Sequence, residues 1–308
     1  MKYRKLGNSG LEVSVVGLGT NNFGGRLDYD KTDRVISQAL DTGINLIDTS
    51  NSYGDALSEE YIGRSLEGRR EQAIIATKVS SRMREGPNQS GNSRQHIMDQ
   101  VESSLLRLRT DRIDLYQIHW WDPTTPIVET LRALDDLSSA GKIRYFGCSN
   151  FAAWQVCESI WSSRELGIST FSSVQPHYSM LERAIEWELI PFCEKYGMGV
   201  LPYYPLANGF LTGKYRKGRA MPTGTRLDTD ERGIFTDENF QLIEKLVSFG
   251  QDRNKSVLDL AFAWLLARPV VSSVIAGATT PGQVLANAST ADWEMSSEDY
   301  RTVTSLLP

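Results

Sequence analysis

Cysteine is scarce in this chain, with three among 308 residues, at positions 148, 157 and 193. No two stand in a CxxC pair, which argues against a disulfide framework or a thiolate-bound zinc. Cys148, Cys157 and Cys193 are therefore expected to be free thiols in a reducing compartment. Long apolar runs are missing as well. Nothing approaches the ~20 residues of a membrane span, and the opening MKYRKLGNSG lacks the apolar core of a secretion signal. Nor is there an excess of basic charge: 33 Lys and Arg face 38 Asp and Glu, and the basic residues are scattered, which argues against a nucleic-acid surface. The expectation is a cytoplasmic protein without membrane, nucleic-acid or metal partners.

What the chain does have is a regular alternation. Its length suits one barrel of about 250 residues with insertions, and 40% hydrophobic residues suffice for a large core. YRKL and LEVS, separated by NSG turn residues, read as an N-terminal β-hairpin. Eight short apolar runs follow, at 15–19, 44–48, 73–78, 113–119, 143–149, 171–175, 198–204 and 271–277. Helical patterns separate them. Asp30 is a candidate cap for a helix with Val35, Ile36, Ala39 and Leu40 on one face and Gly43 at its end. Ser93 caps another carrying Ile97, Val101, Leu105 and Leu108, and Pro126 opens one that Gly141 closes.

Such repetition predicts an α/β fold, a (β/α)8 TIM barrel with a hairpin cap and extra C-terminal helices, as a single domain over residues 1–308. The rhythm breaks between about 205 and 235, where glycines recur and periodicity fades. This loop follows the seventh strand, so it should lie at the C-terminal mouth of the barrel and can close over a ligand there.

The ends of the apolar runs carry polar residues: Asp48, Lys78, His119, Ser149 with Asn150, Gln175 and Tyr203, with Tyr53 in the turn after Asp48. Barrels of this type place their active site at those ends. Reduction of a carbonyl by a nicotinamide cofactor needs a proton donor near a developing alkoxide. Tyr53 is the candidate acid, Lys78 the cation that lowers its pKa, Asp48 the anchor of Lys78, and His119 the donor that orients the carbonyl oxygen. The plainer reading makes Asp48–Lys78 a structural ion pair and His119 a core histidine. His96 and His177 take that plainer reading here, one on a helix and one in a loop.

The motifs GLGTNNFG, LIDTSNSYGDALSEEYIGRSL, IIATKVS, DLYQIHWWD, GKIRYFGCSNF, SSVQPHYS, YYPLANGFLTGKY and SVIAGATTPGQVLANA, in that order, resemble the aldo-keto reductase family over essentially the whole chain. The long loop and the GATTPGQ segment look like its bacterial and potassium-channel β-subunit-like branch. The resemblance implies a catalytic tetrad of Asp48, Tyr53, Lys78 and His119. It also implies NADPH as cofactor, with NADH possible. Gly19 and Thr20 would give backbone approach to the nicotinamide, beside Asp48. Ser149, Asn150 and Gln175 would hold its carboxamide and Tyr203 would stack on its ring, with Tyr204 in an unusual place beside it. Pro205, Leu206, Gly209 and Lys214 would meet the phosphates. Gly277, Thr279, Gln283 and Asn287, with Arg226, would hold the adenosine end. Arg216, Lys217 and Arg219 read as solvated loop charges.

The substrate, a small carbonyl compound, should meet Asn21, Phe23, Tyr53, His119, Trp120 and Trp121, with Asn22, Ser52, Ser80 and Asp122 nearby. Asn21 and Ser80 replace tryptophans common in the family, which implies a wetter pocket suited to a sugar-like carbonyl compound. Trp120 and Trp121 either wall that pocket or pack beneath the loop. The branch also admits an NADP-binding regulatory subunit with little turnover, and both monomer and homo-oligomer stay open.

Overall fold

The computed structural model describes residues 1–219, 222, 225, 227 and 233–308. A hairpin of β1 (Tyr3–Lys5) and β2 (Glu12–Ser14) comes first. The parallel strands are β3 (Val16–Gly19), β4 (Leu46–Asp48), β5 (Ile74–Val79), β6 (Ile113–Ile118), β7 (Ile143–Ser149), β8 (Ser173–Gln175), β9 (Gly199–Val200) and β10 (Val274–Gly277). They pair in chain order, β10 lies against β3, and bridges from Val200 to Val271 and from Tyr203 to Ile275 close the ring. The helices are α1 (Tyr29–Asp41), α2 (Leu57–Ser65), α3 (Arg94–Arg107), α4 (Ile127–Ser139), α5 (Ala153–Leu166), α6 (Leu189–Tyr196), α7 (Asp237–Gln251), α8 (Val257–Leu266), α9 (Pro281–Ser289) and α10 (Ser297–Leu306).

This is the (β/α)8 barrel, with α7 inserted before the last strand and α10 added at the C-terminus. The seventh strand is shorter than its apolar run. Pro202 has no N–H to give, and beyond Val200 the run continues as isolated bridges. Ser93, Thr236, Ser256 and Thr280 cap their helices with side-chain oxygens. Asp28, not Asp30, caps α1: its carboxylate accepts from Lys31 N at 2.9 Å and leaves Asp30 in the first turn.

Alternation along the strands sorts the barrel interior into layers. Leu46, Ala76, Leu115, Leu201 and Ile275 form an apolar floor that Leu6 and Val13 of the hairpin complete. Two residues further along each strand, the inward positions are Asp48, Lys78 and Gln117, so the interior turns polar toward the mouth. The opposite faces, with Ile47, Ile75, Tyr116 and Ile118, pack against the helices in the main core. The hairpin plug is tight. Gly7 adopts φ +55°, and a Cβ there would sit 2.5 Å from Gly199 N. Arg4 donates to the carbonyls of Leu266 and Val271 at 2.7 and 2.8 Å, tying the plug to the end of α8.

After β9 the loop is anchored at both ends. Ala207–Thr212 makes a 3₁₀ turn, and Phe210, Tyr215, Phe235 and Phe240 form one aromatic cluster. Arg216 and Lys217 pair with Glu244 and Asp237 at α7 rather than facing the cleft. Arg226 lies outside the described residues.

Candidate active site

At the C-terminal mouth of the barrel lies a cleft of about 520 Å³. Its inner end is built on the tops of β4, β5 and β6. Lys78 and Asp48 are sealed from solvent, at 0% and 3% exposure. The Lys78 ammonium donates to both carboxylate oxygens of Asp48 at 2.8 and 2.7 Å and to Thr49 O at 2.8 Å. Burial alone pushes the lysine down, but Asp48 and the Tyr53 oxygen more than offset it, so the ammonium is held above its ordinary value.

Tyr53, in the turn after β4, places its ring centroid 5.2 Å from Lys78 Nζ and 6.1 Å from the His119 ring. Burial raises the phenol, and the charge of Lys78 pulls it down without winning. The net direction corrects the sequence expectation of a lowered value: desolvation of the phenolate outweighs one neighbouring cation that is already shared with Asp48. Tyr53 therefore holds its proton across the neutral range. Burial and the Lys78 charge push His119 down to about 3, so its imidazole is neutral. Its Nδ1 is 3.4 Å from the hydroxyl of Ser50.

The cleft walls gather most of the residues singled out in the sequence. Gly19 ends β3, with Thr20 and Asn21 after it; Ser149 and Gln175 end β7 and β8, with Asn150 after β7; Tyr203, Tyr204, Pro205, Leu206, Gly209 and Lys214 follow β9; Gly277 ends β10, Thr279 follows it, and Gln283 and Asn287 lie on α9. Ser149 Oγ donates to Gln175 O at 2.8 Å, and the Asn150 amide spans His119 O and the Tyr203 hydroxyl. Tyr203 stacks on His177 at 5.3 Å, which puts that histidine behind the cleft wall rather than in an unconnected loop. His96 is buried on α3.

Two substrate candidates leave the site. Phe23 is fully buried: the tight turn in which Phe23 N donates to Thr20 O swings its ring into the core. Trp121 stands against Phe151 and Trp154 instead of lining the cleft. Trp120 does line it, half exposed and stacked on His119 at 5.3 Å. Ser80 and Asp122 brace its loop: Ser80 donates to Asn92 Oδ1 at 2.6 Å, Asn92 donates to Trp120 O at 2.8 Å, and Asn92 N donates to Asp122 at 2.9 Å.

Several lining residues went unforeseen: Arg26, Asn208, Thr212 and Leu258. They sit in loops or on a helix face with no strand-end signal. Gln117, beneath the lining, did carry one, as an amide inside the apolar run IDLYQIH.

Three features fit a nicotinamide dinucleotide. A carboxylate has no proton to give, so the Gln175 atom 2.7 Å from Asp48 Oδ1 is its NH2, and its oxygen is left for a donor such as a carboxamide. Tyr204, Ala207, Asn208 and Gly209 all have positive φ, so the loop turns tightly at the cleft, with Ala207 N donating to Tyr204 O at 2.9 Å and Gly209 N to Leu206 O at 2.8 Å. Asn208 Oδ1 is buried there with no partner among the described residues, and Lys214 has no carboxylate partner among them. At the far end, Gln283 Oε1 accepts from Thr279 N and Oγ1, which leaves its NH2 group as a donor at the start of α9.

The profile of the aldo/keto reductase family matches residues 15–308. Aldo-keto reductase YhdN of Bacillus subtilis (strain 168) is 34% identical over 100% of this chain and 94% of its own. Uncharacterized oxidoreductase YrpG of the same organism is 35% identical over 100% and 96%. A probable voltage-gated potassium channel subunit beta of Oryza sativa subsp. japonica is 33% identical over 95% and 92%. The chain belongs to the aldo/keto reductase family of oxidoreductases, whose members typically use NAD(P)H on small carbonyl compounds. Among the described residues, no helix is long and apolar enough to cross a membrane.

Proposed function

We propose that the chain reduces an aldehyde or ketone to the alcohol with NADPH as electron source, NADH serving less well, and that residues 1–308 act as one domain around this site. The observation that carries this reading is the convergence of Tyr53, His119 and the Lys78–Asp48 pair at one end of the cleft. A bound reduced nicotinamide supplies the hydride. Tyr53 gives its phenolic proton to the carbonyl oxygen, and the Lys78 ammonium stabilises the phenolate left behind. Asp48 keeps that ammonium charged and in place. Neutral His119 donates Nε2–H to the same oxygen, and the Ser50 hydroxyl on Nδ1 favours that tautomer.

Gly19, Thr20, Ser149, Asn150, Gln175 and Tyr203 would hold the nicotinamide end. Tyr204, Pro205, Leu206, Gly209 and Lys214 would meet the phosphates, and Gly277, Thr279, Gln283 and Asn287 the adenosine end. Preference for NADPH is supported by the Gln283 donor and the N-terminal turn of α9, which favour an added phosphate. Asn21 and Asn22 in the lining support a polar, hydroxylated substrate, with Trp120 as its apolar wall.

The likeness to plant potassium-channel β-subunits favours a second reading, an NADP-binding regulatory subunit with little turnover. Loss of NADPH absorbance on adding an activated aromatic aldehyde or an aldose, with NADH in parallel, separates the two. Turnover supports the reductase. Tight NADPH binding without turnover supports the regulatory subunit.

A further inference from the structure

Gln117 is fully buried on β6, inside the barrel and out of reach of the cleft. Its Cα pairs with Lys78 on one side and Gly147 on the other. Its Nε2 donates to Asp48 Oδ1 at 3.2 Å, while its Oε1 accepts from Gln175 Nε2 at 3.4 Å. Asp48 Oδ1 thus collects three donors: Lys78 at 2.8 Å, Gln175 at 2.7 Å and Gln117 at 3.2 Å. The Gln175 NH2 has two protons, and both are committed inward, one to Asp48 and one to Gln117. An amide held this way cannot flip without placing its oxygen against a carboxylate.

We infer that Gln117 is a positioning residue, a buried amide that reinforces the Gln175 orientation set by Asp48 and so helps fix which atom Gln175 shows to the cleft. Through Gln175 it makes the site select a hydrogen-bond donor, the NH2 of a nicotinamide carboxamide. The inference rests on the reading of the cleft as a nicotinamide site. Gln117 never touches the ligand; it acts by accepting the second Gln175 proton, which backs the orientation Asp48 imposes, and by completing the donor set on Asp48. Gln117 does both with two atoms, Nε2 donating to Asp48 and Oε1 accepting from Gln175, which an aliphatic side chain cannot do. A protonated carboxyl can: its hydroxyl donates and its carbonyl accepts. An ionised carboxyl cannot, and it would stand beside Asp48. The charged groups around the 117 side chain are Asp48 and Lys78, with Tyr53 and His119 the next titratable groups toward the mouth. The like charge of Asp48 favours the protonated form, and Lys78 opposes it.

The test uses the full-length protein and titrates NADPH, then NADH, against intrinsic tryptophan fluorescence. It compares wild type, Gln117→Leu and Gln117→Glu from pH 5 to pH 9, with thermal melting of each variant. Gln117→Leu is expected to weaken NADPH binding about tenfold at every pH, the loss of one hydrogen bond to a committed polar group. Gln117→Glu is expected to bind within about twofold of wild type at pH 5 and to lose affinity as pH rises. A purely structural role would lower melting without that pH-dependent rescue. A folded Gln117→Leu with wild-type NADPH affinity would overturn the inference. If the leucine variant does not fold, a glutamate variant that tracks wild type from pH 5 to pH 9 overturns it instead. Wild-type protein that binds neither nucleotide sinks the nicotinamide reading itself, and the inference with it.

Discussion

The Lys78 ammonium and the Asp48 carboxylate meet at 2.7 Å with neither side chain open to solvent, beside Tyr53. A buried pair of this kind adds little net stability, but breaking it is costly because one charge is left uncompensated. Asp48→Ala is expected to destabilise the fold by about 3–5 kcal/mol. Asp48→Ala combined with Lys78→Met should recover a large part of that loss. Urea midpoints of the three variants check it.

His119 carries a pH signature. Burial and the Lys78 charge hold it down at about 3 in the folded protein, against an ordinary value of 6.5. Between those values the unfolded chain binds the extra proton, so stability falls as pH drops from about 6.5 toward 3. The contribution is about 1–2 kcal/mol between pH 7 and pH 5. Urea unfolding of wild type and His119→Gln at the two pH values should show the smaller drop in the variant.

The two neighbouring tryptophans should behave differently. Trp120 lines the cleft over His119, whereas Trp121 sits against Phe151 and Trp154. Trp120→Ala should raise KM for an aromatic aldehyde several-fold with Tm nearly unchanged. Trp121→Ala should cost about 2–3 kcal/mol of stability by vacating packed space, with KM little altered.

Lys214 lies on the cleft wall where a Cβ on Gly209 would be 3.6 Å from its Nζ. If it meets the cofactor phosphates, Lys214→Ala should weaken NADPH binding roughly tenfold, and added salt should narrow the difference from wild type. Fluorescence titration at two ionic strengths measures both.

Much of this site was legible because barrel geometry converts sequence order into position. A parallel strand ends at the mouth, so Asp48, Lys78, His119, Ser149 and Gln175 could be read as neighbours before any contact was known. What was hidden depends on packing across the interior. Gln117 looked like one polar residue in an apolar run, and only the closed ring sets its amide between Asp48 and Gln175. Phe23 follows two asparagines that both line the cleft, yet one tight turn sends its ring to the core. The α1 cap fell on Asp28 rather than Asp30 because the two residues offer the same chemistry two positions apart. The direction of the Tyr53 shift needed burial as well as the nearby lysine.

The central claim is that Tyr53 delivers the proton in carbonyl reduction, and one comparison tests it most directly. NADPH oxidation with an aromatic aldehyde is followed for wild type and Tyr53→Phe, with NADPH Kd measured on both. The account predicts a fall in kcat of roughly 10²–10⁴-fold at nearly unchanged Kd. A Tyr53→Phe variant that turns over like wild type would contradict it.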